Sequence, residues 1–169
     1  MNNVVFVGFM GSGKTTLSKA LYQELKKDHP DIRLIDTDAY IEEKYSRKIS
    51  DIFAQEGEAY FRDIETETLK ELAGTEGPMI VSCGGGTVER KENLPILKSL
   101  GIVVFANTPI DILWNRVGND PSRPLSKDKD AFFELYNRRL DLYRSVADVI
   151  IDTGNEPIGK CVETVRRSI

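Results

Sequence analysis

Gly8-Phe9-Met10-Gly11-Ser12-Gly13-Lys14-Thr15 fits G-x-x-x-x-G-K-[ST], a spacing whose chemistry is phosphate binding. A glycine-rich loop that opens a helix turns several backbone N–H groups toward one point. The helix N-terminus adds about half a positive charge there. Lys14 can reach the β- and γ-phosphates of a nucleoside triphosphate, and the Thr15 hydroxyl can ligate Mg²⁺. Gly11, Ser12, Gly13 and Thr16 complete the phosphate cradle.

Such a loop needs a strand before it and a helix behind it. The apolar run Val4–Val7 and the helical stretch 16–27 meet that requirement. Strand and helix patterns then alternate to the end of the chain. Further strands are predicted at 33–35, 78–82, 102–106 and 148–151. Helical segments are predicted at 40–47, 58–72, 91–100 and 131–146, with another after Pro157. Ser50 is a candidate N-cap for Ile52-Phe53-Ala54, and Pro109 suits the first turn of the helix that carries Trp114 and Arg116. Residues 118–129 are polar and proline-punctuated, which predicts a mobile loop, and Lys127-Asp128-Lys129-Asp130 reads as a solvated run. Short apolar strands separated by helices imply a five-stranded parallel sheet covered on both faces, one α/β domain over 1–169. Ligands of such sheets gather at the carboxyl ends of the strands. The phosphate loop, Asp36 with Asp38, and Gly84-Gly85-Gly86 all follow predicted strands directly.

Composition narrows the classes. The chain has 169 residues, 40% hydrophobic and 30% charged, with a net charge of −4. That is ordinary for a globular domain and argues against nucleic acid as the main partner. No apolar run approaches the ~20 residues of a membrane span, and no signal peptide is expected before Val4. Two cysteines, Cys83 and Cys161, make no disulfide framework, so a cytoplasmic protein is expected. Cys83 reads as a small buried filler, and His29, at a charged helix end, as a surface residue. A regulatory GTPase would carry Asn-Lys-x-Asp, which is absent, and the chain is too short for the usual motor or helicase core.

The segments 8–16, Asp36-Thr37-Asp38, Asp51-Ile52-Phe53 with Glu58 to Arg62, Ser82-Cys83-Gly84-Gly85-Gly86, Arg123-Pro124-Leu125, and Arg139 through Leu142-Tyr143 resemble shikimate kinase. They occur in the family's order, at similar spacings, over nearly the whole chain. The resemblance implies the three-layer P-loop kinase fold, related to nucleoside monophosphate kinases. It also implies transfer of the ATP γ-phosphate to the 3-hydroxyl of shikimate, with Mg²⁺, by a protein expected to be a monomer.

Roles follow from the resemblance, each beside a plainer reading. Asp36 would hold Mg²⁺ through water, and Asp38 would bond the acceptor hydroxyl. Either could instead cap the next helix, worth about 1 kcal/mol. Arg62 and Arg139 would bind the shikimate carboxylate. Each could instead be a solvated helix charge, and Glu58 and Glu65 offer Arg62 local ion pairs. Gly84, Gly85 and Gly86 would let backbone approach the acceptor, or form a plain turn; Ser82 would orient water near the metal. Arg123 would be the arginine of a lid at about 118–129, and the substrate-binding region would span about 38–65. Arg116 would stack on adenine or be a helix C-terminal charge, and Asn155 lies in the turn that would face adenine.

The chain also departs from the family pattern. Asp141 replaces the usual proline before Leu142-Tyr143, adding a negative charge two residues from Arg139. The turn 152–157 lacks the arginine often found there. Kinases of another small hydroxy acid, such as gluconate, and a nucleotide-binding module without transfer activity are the alternatives.

Overall fold

Val4–Val7 forms strand β1, and all four of its side chains are buried, as a central strand covered on both faces requires. A computed structural model, which describes residues 2–118 and 128–169, flanks β1 with β3 (Met79–Ser82) and β4 (Ile102–Asn107). The edges are β2 (Arg33–Asp36) and β5 (Val149–Asp152), giving a parallel sheet in the order β2-β3-β1-β4-β5. β1 is in register with both neighbours, Val5 lying opposite Val81 and Val103. The chain places β2 and β3 on one side of β1 and then β4 and β5 on the other, so the crevice expected at that switch opens at the end of β1.

Alternation along β1 feeds two cores. Val4 and Phe6 pack with Leu17 and Leu21 of α1 (Lys14–Leu25) and with Val162 and Val165 of α8 (Ile158–Arg166). Val5 and Val7 pack with Leu69 of α4 (Glu58–Ala73), Leu97 of α5 (Asn93–Leu100), Leu113 of α6 (Ile110–Val117) and Phe132 of α7 (Lys129–Val146). A third, smaller cluster of Ile41, Ile52, Phe61 and Ile64 joins α2 (Thr37–Tyr45), α3 (Ile49–Glu56) and α4. The stretch 38–65 is thus packed around a core of its own. No helix among the described residues is long and apolar enough to cross a membrane.

Element types match the sequence expectations, while several helix starts differ for local reasons. Helix α2 begins at Thr37 rather than Tyr40 because the Asp36 carboxylate accepts from the N–H groups of Asp38 and Ala39, both at 3.1 Å. Ser50 is no N-cap: α3 starts at Ile49, whose N–H donates instead to Glu42 Oε1 of α2 at 3.1 Å. Lys91 is not helical; a 3-10 turn, Thr87–Glu89, comes first and α5 starts at Asn93. Of the charged run at 127–130, residues 128–130 are described and are not solvated loop: Asp128 caps α7 by accepting from Ala131 N–H, and residues 129–130 are helical. The proposed lid, with Arg123, lies for the most part outside the described residues.

Candidate active site

The strand–loop–helix unit forms a phosphate cradle for a backbone reason. Gly13 is the N-cap of α1 with φ 85°, a left-handed conformation that suits glycine, and Lys14 opens the helix. The loop is braced from three directions. Lys14 Nζ donates to the carbonyls of Gly8 (2.8 Å) and Phe9 (3.0 Å). Thr108 Oγ1 donates to Ser12 O at 3.3 Å, and Arg116 Nη1 to Gly11 O at 3.0 Å. The second terminal nitrogen of Arg116 reaches Thr153 O at 3.2 Å, so one exposed guanidinium ties the phosphate loop to the turn after β5.

Gly11, Gly13, Lys14, Thr15, Thr16, Asp36, Asp38, Gly84, Gly85 and Arg116 line one cleft of 720 Å³. Thr153, Glu156, Ile158 and Cys161 also line it, the first two from the turn 152–157 that the sequence set against adenine. Asn155 does not line the cleft; its side chain turns back to the Asp152 carboxylate, bonding Oδ2 at 3.0 Å. Ser12 is buried beneath the loop.

The triple glycine has a steric cause that its turn alone would not supply. A Cβ built on Gly84 would lie 2.7 Å from Asp38 Oδ1 and 3.3 Å from Glu65 Oε2. One on Gly85 would lie 3.4 Å from Arg139 Nη1, and one on Gly86 would overlap the Arg62 guanidinium. Gly84 and Gly86 therefore make room for the site's own charged side chains, whereas a Cβ on Gly85 would meet Arg139 only at ordinary contact distance. Gly84 N–H donates to Thr37 Oγ1 (3.1 Å), and the Tyr143 hydroxyl donates to Gly85 O (2.6 Å), which pins this floor to α2 and α7.

Arg62 and Arg139 are held in place rather than left in solvent. Arg62 Nη1 donates to Glu65 Oε1 at 2.7 Å, and Nη2 lies 3.5 Å from Glu58 Oε1. The local ion pairs that spacing suggested are thus present. Arg62 Nε is nonetheless buried without a hydrogen-bond partner among the described residues. Arg139 is 6% exposed, with Nε 2.6 Å from Glu89 Oε1 and its Cζ 5.7 Å from the centre of the Phe9 ring. Asp141 is exposed.

Glu65 does more than pair locally with Arg62. It is 1% exposed, which its sequence neighbourhood does not announce. Its Oε2 accepts from Thr87 Oγ1 at 3.0 Å, and the chain continues through Asn93, which donates to Thr87 O and accepts from Thr66 Oγ1, both at 2.8 Å. Burial pushes the Glu65 carboxyl up, opposed by Arg62. Burial, with the charges of Asp36 and Glu65, also raises Asp38 to about 6, against the pull of Lys14 and Arg62.

A hard divalent cation fits the donors on the phosphate side. Thr15 and Asp36 both line the cleft, and a hydroxyl with a carboxylate leaves room for phosphate oxygens and water, the usual Mg²⁺ arrangement. Among the described residues no group of three or more His, Cys, Asp or Glu side chains could hold a metal by itself.

The family model for shikimate kinase matches residues 10–169. The chain is 41% identical to a shikimate kinase of Clostridium beijerinckii, over 99% of this chain and 95% of that one. A solved shikimate kinase from Acinetobacter baumannii, in complex with shikimate, superposes with TM-score 0.85 at 32% identity, covering 99% and 92% of the two chains. A gluconokinase from Sinorhizobium meliloti superposes with TM-score 0.56 at 18% identity, covering 95% of this chain and 87% of that one, a likeness of fold alone.

Proposed function

Because this chain belongs to the shikimate kinase family, we propose a division of labour among its residues. It is an ATP-dependent kinase that phosphorylates a hydroxyl group of shikimate. In the reading proposed, that hydroxyl is the one at position 3, and the product is shikimate 3-phosphate. The loop Gly11 to Thr16 and Arg116 hold ATP. Arg62 and Arg139 grip the carboxylate, a planar match that charge-assisted bonds favour by roughly 1.5–3 kcal/mol each. Gly84, Gly85 and Gly86 form the floor, and Arg123 supplies a further positive charge from outside the described residues.

The observation that carries this reading is the position of Asp38. Its carboxyl stands directly over Gly84, in a cleft it shares with Lys14 and Gly85. Phosphoryl transfer through a loose transition state needs in-line positioning and charge neutralisation more than a strong base. Asp38 orients the hydroxyl and takes its proton as the bond to phosphorus forms. Lys14 neutralises charge on the transferring group. Thr15 and Asp36 would hold Mg²⁺, which when bound neutralises phosphate charge. In this reading the enzyme works as a monomer in the cytoplasm.

Coupled measurement of ADP formation, with shikimate compared against gluconate and nucleoside monophosphates, tests the acceptor. Shikimate alone should stimulate turnover; equal stimulation by gluconate would overturn the assignment of Arg62 and Arg139 to a specific carboxylate.

A further inference from the structure

Glu89 ends the 3-10 turn that leaves the triple glycine, and its own N–H donates to Gly86 O at 3.0 Å. The turn therefore carries Glu89 rigidly with the acceptor floor. Its Oε1 accepts from Arg139 Nε at 2.6 Å and from Arg138 Nη2 at 3.0 Å. Burial opposes the charge on Glu89, but the bonds from Arg138 and Arg139 prevail and hold its carboxyl below the ordinary range. Arg139 also meets the Phe9 ring, Gly85, toward which Nη1 projects, and the Tyr143 hydroxyl, to which it donates a hydrogen bond.

A guanidinium can meet a carboxylate along its Nε–Nη side or across its two terminal nitrogens. In Arg139 the Nε side is taken. We propose that Glu89 is a positioning residue that commits Arg139 to its terminal Nη edge, turned over Gly85 for the acceptor carboxylate. Two arginines sharing one glutamate also leave one net positive charge at this corner. The inference rests on the reading of Arg139 as a carboxylate ligand. No local pattern announces it, since Glu89 and Arg139 are 50 residues apart.

The test is steady-state kinetics of Glu89→Ala, Glu89→Gln, Arg138→Ala and Arg139→Ala, with shikimate and with its methyl ester, whose carboxylate charge is masked. Glu89→Ala should raise KM for shikimate about five- to tenfold, the loss expected of an unfixed charge-assisted contact. Its kcat and its KM for ATP should stay within about twofold. Glu89→Gln, whose amide oxygen still accepts from Nε, should stay within about threefold of the parent, as should Arg138→Ala. The methyl ester should not distinguish Glu89→Ala from the parent. Glu89→Met, which keeps the aliphatic stem without an acceptor, replaces the alanine variant if that one does not fold. An unchanged or lowered KM in Glu89→Ala, an equal loss in Glu89→Gln, or an equal loss on the ester would overturn the inference. Arg139→Ala separates the two failures: if its KM for shikimate is unchanged, the carboxylate reading itself falls. If it rises while Glu89→Ala does not move, only the positioning role falls.

Discussion

The Arg62 guanidinium fills the space that a side chain at Gly86 would occupy: a Cβ built there would sit 2.5 Å from Arg62 Cζ. No rotation of the added methyl relieves such an overlap, because the clash is with the planar head of an arginine that Glu65 holds at 2.7 Å. Gly86→Ala should therefore displace Arg62. KM for shikimate should rise about tenfold while KM for ATP is little changed, as loss of one charge-assisted contact to the acceptor implies. A parallel rise in both constants would mean general damage to the fold instead.

Asp38→Asn should lower kcat by roughly 10²–10⁴-fold, the range for loss of a positioned proton acceptor, with ATP binding retained. In the parent enzyme kcat/KM for shikimate should fall as pH drops through about 6, where Asp38 takes up its proton. Stability runs the other way. A carboxyl whose folded pKa lies above its unfolded 3.8 stabilises the fold when protonated, and that contribution is lost as pH rises from 3.8 through about 6. Asp38→Asn should then be more stable than the parent at pH 7.5, by about 1–3 kcal/mol, and equal to it below pH 4. Thermal melts at the two pH values check this, and equal stability at both would refute the burial argument.

Glu65→Ala should destabilise the protein by about 3 kcal/mol, because it leaves Thr87 without its acceptor and the largely buried Arg62 with only the longer contact to Glu58. Denaturant midpoints measure that loss. Glu65→Gln should recover part of it by still accepting from Thr87, but should leave KM for shikimate raised.

Asp141 looked like a competitor for Arg139 by sequence. It is exposed, while Arg139 is buried and bonded to Glu89. Asp141→Ala should change KM for shikimate by less than about twofold, as a screened surface charge does. A larger drop in KM would show that Asp141 draws on Arg139 in solution.

Arg116→Ala should raise KM for ATP about fivefold and leave shikimate binding alone, since it severs the tie between Gly11 and Thr153. Trp114, packed 5.2 Å from Phe132 one turn before the end of α6, supplies a fluorescence readout of nucleotide binding. Identical ATP titrations of the two proteins would remove Arg116 from the nucleotide site.

The donor half of the site was legible in the sequence because its physics is local. A strand, a glycine loop and a helix N-terminus follow one another along the chain, so Gly8 to Thr15 specify a phosphate cradle wherever the rest of the chain goes. Alternating apolar runs likewise determined five strands and the helices between them, and the ordered motifs determined the family. Strand order, the steric need for glycine at 84 and 86, the burial of Glu65 and the pairing of Glu89 with Arg139 were settled only by the tertiary structure. Those features join residues far apart in the chain, as Val4 and Ile102 are in the sheet and Glu89 and Arg139 in the site. The site features depend on how α4 and α7 pack across the floor of the cleft. A charged side chain carries no sign in the sequence of whether packing will bury it with a partner or leave it in water.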